Sequence, residues 1–289
     1  MKNHFEIKLE NKFRKAGSDS NKNYTYPNGL IYADKEVKYS WFFKTRTERF
    51  GFAEDGDYIE YMNNIYREKG DFESINNNYE ESGLCHYIAV GLLIQYMEFF
   101  KTNDYFSENQ TKKYMELAKI ENWYAKRHGY PTAPIFNEWF IWDLWQIYGN
   151  GVIDTYWQQL QNAIRKFIKA DKKFNQVLMF QLNDDQEYLL EKINAGKPFL
   201  IYSLFMPSYQ NDPKDSHSVV VYGYYYNNGK GGKYLCHYRW EGASQVILST
   251  ESLQWYYAID IDLRKKTKPS PIKPYFLHNG KYVKGTDYE

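Results

Sequence analysis

GLCHYIAVGLLIQYMEFF, residues 83–100, carries Ile88, Leu92, Leu93, Tyr96 and Phe100 at helical spacing, with Ala89 and Met97 beside them. Apolar residues recurring three and four apart on a wide face predict a helix over 84–101. Gly91 inside it suits close packing against a neighbour. Ser82-Gly83 stand before it, so Cys85 falls in or next to the first turn. A thiol there meets unpaired backbone N–H groups and the positive end of the helix dipole, and both favour the reactive thiolate. The same N–H groups can stabilise the oxyanion formed when a thiolate attacks a carbonyl. Taken alone, Cys85 reads as a small buried apolar residue, because free cysteine is among the most buried types.

Upstream, residues 1–30 are polar, rich in Lys, Asn and Ser, and read as an arm. Residues 31–50, IYADKEVKYSWFFKTRTERF, alternate apolar and polar positions and are expected to lie extended against the body. Asn76-Asn77-Asn78 and Glu80-Glu81-Ser82-Gly83 mark a loop. Downstream, 108–127 and 151–170 read as helices, and FNEWFIWDLWQIYG between them reads as a buried aromatic helix. A short helix over 184–195 ends at Ala195-Gly196.

After Gly196 the period changes. Pro198-Phe-Leu-Ile-Tyr-Ser-Leu-Phe205 and Ser218-Val-Val-Val-Tyr-Gly-Tyr-Tyr-Tyr226 read as strands. Lys233-Tyr-Leu-Cys-His-Tyr-Arg-Trp240 follows across a Gly-rich turn and should pair with the second of them as a hairpin. Residues 245–250 and 255–262 read as further strands, and 264–289 as a tail that is basic, then Pro-rich, then polar. Helices first and an antiparallel sheet afterwards make an α+β fold. There is no internal repeat.

The composition limits what the chain can do. Lys plus Arg number 37 against 36 Asp plus Glu, a net charge of +1, which implies neither a nucleic-acid footprint nor a polyanionic surface. Aromatic residues make up 19% of the 289, enough for a sizeable core. Met1–Lys8 hold no apolar run and read neither as a signal peptide nor as an anchor. No stretch reaches the ~18 apolar residues of a membrane span. The expected place is cytoplasmic, or outside the cell if a signal was removed. Two cysteines, Cys85 and Cys236, are too few for a disulfide framework. Adjacent Cys-His at 85–86 and 236–237 is poor geometry for one zinc ion, and the chain carries no P-loop, dinucleotide fingerprint or HExxH. No metal or organic cofactor is expected.

His217 changes the weight of Cys85. It follows the polar loop 210–216 and opens a strand with three consecutive Val residues. A histidine at the mouth of a buried strand is held firmly yet stays at an edge, and its ordinary pKa near ~6.5 lets it take and return a proton near neutral pH. The separation of 132 residues, cysteine on an early helix and histidine on a late strand, is the layout of a thiol peptidase.

GLCHYIAVGLLIQYMEFF resembles the nucleophile helix of papain-like cysteine peptidases, closest to bacterial putative cysteine peptidases and bacteriocin-processing-type relatives. Cys85, Tyr87, Ala89, Leu92, Leu93 and Tyr96 occupy the family's positions. GKPFLIYSLF followed by HSVVVYGYYY, and then YLCHYRWEG, resemble its later strands, so the resemblance covers about 85–255 in order and spacing. It implies a papain-like domain over 71–263, preceded by an arm and lead-in segment over 1–70 that pack on it and followed by the tail.

It further implies Cys85 as nucleophile and His217 as base, acting on a polypeptide substrate. His237 falls where an Asn or Asp would orient the base. Asn78 is the best candidate for the oxyanion-hole side chain, with Asn76 and Asn77 as alternatives, and Trp240 for a shield over the histidines. His86 stands where Gly or Trp is usual; it is either a neighbour of the site or, as is expected, points its ring away along the helix. Cys236 precedes His237 on a strand and so points to the opposite face, as a core residue. Other readings of the same fold are a transglutaminase- or amidase-like acyl transferase and an inactive relative that binds without catalysis.

Overall fold

A computed structural model describes residues 7–8, 29–45, 84–101, 105–136, 139–149, 157–167, 176–181, 186–205, 217–226, 232–238, 244–249, 254–262 and 275–288. Over these the protein is a mixed helix and antiparallel-sheet structure, the α+β class read from the sequence. The helix expected over 84–101 runs Leu84–Phe100. From His86 to Phe99 every residue is buried. A helix apolar on all sides belongs inside the molecule rather than on its surface. Two of its polar side chains are tied to backbone, as buried polar groups tend to be. Gln95 Nε2 donates to Pro134 O at 3.0 Å, and Glu98 Oε2 accepts from Tyr105 N at 2.9 Å.

The main sheet, among the described residues, has eight strands. β5 (Gln176–Gln181), β6 (Phe199–Phe205), β7 (His217–Tyr225), β8 (Lys233–His237), β9 (Val246–Ser249) and β10 (Gln254–Asp262) form most of it. The short β1 (Ile7–Lys8) extends one edge, and the order is β1-β9-β8-β7-β6-β10-β5. β2 (Lys35–Glu36) pairs with the far end of β7. The expected β7–β8 hairpin forms, with Val220 opposite His237 and Val221 opposite Cys236. β7 lies between β6 and β8 with residues 217–224 buried, so its Val run is the continuous apolar strand of a sheet covered on both faces.

The two faces carry different helices. His86, in the first turn of the Leu84–Phe100 helix, bonds Ser218 and lies against the Tyr202 ring, so this central helix covers the face of Tyr202, Ser218 and Val220. The opposite face carries Ile201, Ser203, His217, Val219 and Asp260. Lys192 of the Gln186–Asn194 helix forms an ion pair there with the buried Asp260. That helix ends as expected, with Gly196 at φ 70°.

Several expectations are corrected. Residues 31–50 do not run extended throughout: Trp41–Lys44 is a helical turn. Glu36 organises it, accepting from Ala33 N at 2.7 Å and pairing with the buried Lys44 at 2.6 Å, while Tyr39 at φ 62° breaks the extended run. The segment 108–127 divides into helices Glu108–Tyr114 and Trp123–Arg127, with β3 (Met115–Glu116) pairing β4 (Ile135–Phe136) after the first of them. Asn122 caps the second helix, its side chain accepting from Tyr124 N and Ala125 N. The aromatic segment is helical at Trp139–Asp143 and continues as a π-helix at Leu144–Tyr148.

The end of the sequence is not a tail standing off the body. β11 (Phe276–His278) and β12 (Lys281–Val283) form a hairpin, and Phe276 is buried in the main core. Its ring stacks on Phe100 at 5.7 Å and meets Trp41 edge-on at 5.5 Å.

Candidate functional site

Cys85 is the second residue of the Leu84–Phe100 helix, in the first turn as the sequence implied. The Cys85 side chain lies outside the described residues, as do Asn78 and Trp240. What fixes the helix start is its neighbour. His86 is 1% exposed, and its Nδ1 lies 2.6 Å from Ser218 Oγ in a buried hydrogen bond. Its ring centroid is 4.8 Å from that of Tyr202. The expectation that the His86 ring points away along the helix is therefore wrong: the ring turns onto the sheet, where Ser218 supplies the partner that a buried imidazole needs.

His217 opens β7 opposite Ser203 and is 4% exposed. The residue after Cys85 is thus hydrogen-bonded to the residue after His217. Both candidates lie beside that contact in the chain, at the end of the sheet where β7 begins. The Cys85 helix, however, covers the face of Ser218, and His217, the first residue of β7, alternates onto the other face. Sequence reading missed the pair His86–Ser218, although its separation of 132 equals that between Cys85 and His217.

The role assigned to His237 does not survive the register. Side chains alternate across a strand, and directly opposed residues share a face. His237 opposes Val220, so it shares the helix-covered face with Ser218, whereas His217 alternates onto the other. The two rings stand on opposite faces of the sheet, and His237 cannot accept a hydrogen bond from His217. Tyr238, one residue on, alternates onto the face of His217. His217 Nε2 lies 3.4 Å from Tyr238 O, and the two rings are 5.3 Å apart at 36°.

Cys236 alternates with His237 and is a core residue, as expected; because His237 lies on the helix-covered face, Cys236, opposite Val221, shares the face of His217, four residues along β7 from it. It is fully buried, and that burial pushes its thiol well above the ordinary value. A thiol kept neutral in an apolar core is a poor nucleophile.

Among the described residues no group of three or more His, Cys, Asp or Glu side chains is placed to hold a metal ion, and no helix is long and apolar enough to cross a membrane. No protein-family model matches the chain, and no curated protein matches it.

Proposed function

We propose that this chain is a cysteine peptidase of papain-like type, with Cys85 as nucleophile and His217 as base. The observation that carries the reading is the His86–Ser218 hydrogen bond, which ties the first turn of the Cys85 helix to the start of the His217 strand. The reading requires His217, first in β7 and on the face away from that helix, to meet Cys85 around the end of the sheet. In this reading the Cys85 thiolate attacks the peptide carbonyl, and the helix N-terminus stabilises the oxyanion. The amine leaves with a proton from the His217 imidazolium, forming a thioester. His217 then takes a proton from water, which attacks the thioester and releases the acid and the free thiol. The resemblance of 85–255 to papain-like peptidases supplies the reaction class, and a polypeptide is the substrate it implies.

The test is a mutant cycle on peptide hydrolysis. Cys85→Ala and His217→Ala should each abolish turnover, and the double variant should be no worse than either, because nucleophile and base act as one unit. Iodoacetamide at mildly acidic pH should label Cys85 long before the buried Cys236. Additive losses in the cycle, or equal labelling of the two thiols, would overturn the reading. Where an amine acceptor outcompetes water for the acyl group, the same site is an acyl transferase.

A further inference from the structure

We propose that Tyr238 is the residue that positions the base, and that it fixes His217 in the tautomer with the proton on Nε2. The inference rests on the reading of Cys85 and His217 as a catalytic pair. It does not use His237, which the register places behind the sheet from His217.

Three observations converge on Tyr238. It follows β8 directly, so strand alternation brings it to the face of His217. Its carbonyl oxygen lies 3.4 Å from His217 Nε2. Its ring, fully buried, lies against the imidazole at 5.3 Å and 36°, which limits rotation of a side chain that is itself 4% exposed. A carbonyl oxygen only accepts, so the group facing it must be Nε2–H. The neutral ring then carries its lone pair on Nδ1, the nitrogen left to take the thiol proton. At 3.4 Å the hydrogen bond is long, and the ring contact shares the work of orientation.

A backbone carbonyl does not titrate near neutrality. An orienting histidine would add its own ionisation to the acid limb of the pH profile. An orienting carbonyl adds none, so the acid limb belongs to the catalytic pair alone.

The experiment is long-range 15N–1H NMR on protein with 15N-labelled histidine, in a Cys85→Ala background so that the readout does not depend on turnover. Loss of one signal in His217→Gln assigns the ring among the six histidines. The expected result is the Nε2–H tautomer for His217, a mixed pattern in Tyr238→Ala, which keeps the carbonyl but frees the imidazole to rotate off it, and its restoration in Tyr238→Phe, which keeps the ring. With Cys85 present, Tyr238→Ala should lower kcat roughly tenfold to hundredfold with KM little changed, the scale of a misplaced catalytic group. His237→Asn should leave the shape of the acid limb as it is in the parent. An Nδ1–H tautomer at His217, or a Tyr238→Ala protein with unchanged tautomer and kcat, would overturn the proposal. Full turnover in Cys85→Ala would instead remove the reading on which it rests, and the tautomer would still be measured.

Discussion

His86 Nδ1 and Ser218 Oγ lie 2.6 Å apart, one residue beyond each member of the candidate pair. Ser218 is wholly buried and His86 nearly so, so removing the hydroxyl strands a polar nitrogen away from water. Leaving such a group unsatisfied costs about 1–3 kcal/mol. Ser218→Ala should lower the unfolding free energy by that amount, read as a lower urea midpoint with the slope unchanged. A loss below about 0.5 kcal/mol would show that water or another group replaces the hydroxyl.

Gly91 sets two effects against each other. Alanine is the better helix former by about 1 kcal/mol. A Cβ at 91, however, would stand 2.8 Å from Ile141 Cδ1 and 2.9 Å from Phe140 Cε1, both fully buried. Overpacking a tight core costs about 1–3 kcal/mol. Gly91→Ala should therefore destabilise by up to about 2 kcal/mol, seen as a lower Tm. A stabilised variant would mean that Ile141 and Phe140 yield without strain.

Gln245 fastens the lead-in segment to the sheet. Its Oε1 accepts from Ile31 N at 2.7 Å, and its Nε2 donates to Tyr124 Oη at 3.0 Å and to Gly29 O at 3.3 Å. Gln245→Ala leaves a buried backbone N–H at Ile31 without its acceptor, a cost of about 1–3 kcal/mol. The matching local signature is faster proteolysis near residue 30 under native conditions. Unchanged cleavage there would show that the apolar contacts of Ile31 suffice.

Alkali should unfold the protein through its tyrosines. Burial pushes Tyr124 and Tyr256 up to about 12 and Tyr222 well above its ordinary value, whereas tyrosine in an unfolded chain ionises near ~10. Above pH 10 the unfolded chain loses protons that the native state keeps. The stability these groups contribute is full below pH 10 and is lost as pH rises through 10 to 12. Lys44 acts in the other sense: burial lowers its pKa against the pull of Glu36, so stability grows as pH rises toward 10.5. It is one group against several tyrosines, and the net effect is a fall. The urea midpoint should drop between pH 9 and pH 11, with tyrosinate absorbance at 295 nm rising in step with unfolding. Equal midpoints at the two pH values would contradict the argument.

Long elements were legible because their patterns are long. The helix of 84–100 and the strands of 199–205 and 217–225 announce themselves by apolar spacing and by the Val run. The register of β8 was not, because Tyr234 to Tyr238 are buried throughout. A strand covered on both faces has no polar side to mark which of His237 and Tyr238 meets His217. The turn at Trp41–Lys44 was hidden by aromatic residues that alternate as a strand would, and Glu36, reaching both Ala33 and Lys44, braces it beside the backbone bonds from Lys44 N to Ser40 O and Thr45 N to Trp41 O. The hairpin at 276–283 did leave a signal. Asn279-Gly280 between Phe-Leu-His and Lys-Tyr-Val is a two-residue turn pair, and both residues have positive φ.

The meeting of Trp41, Phe100 and Phe276 bears on how the chain is made. A ribosome delivers these three rings far apart in time, and the last of them closes the aromatic cluster over the central helix. Until Phe276 emerges, Phe100 and Trp41 must wait with an unfinished apolar surface. Contacts spanning so much sequence fold slowly and leave sticky intermediates meanwhile. Nascent chains stalled before residue 276 should therefore hold chaperones longer than chains stalled after 283.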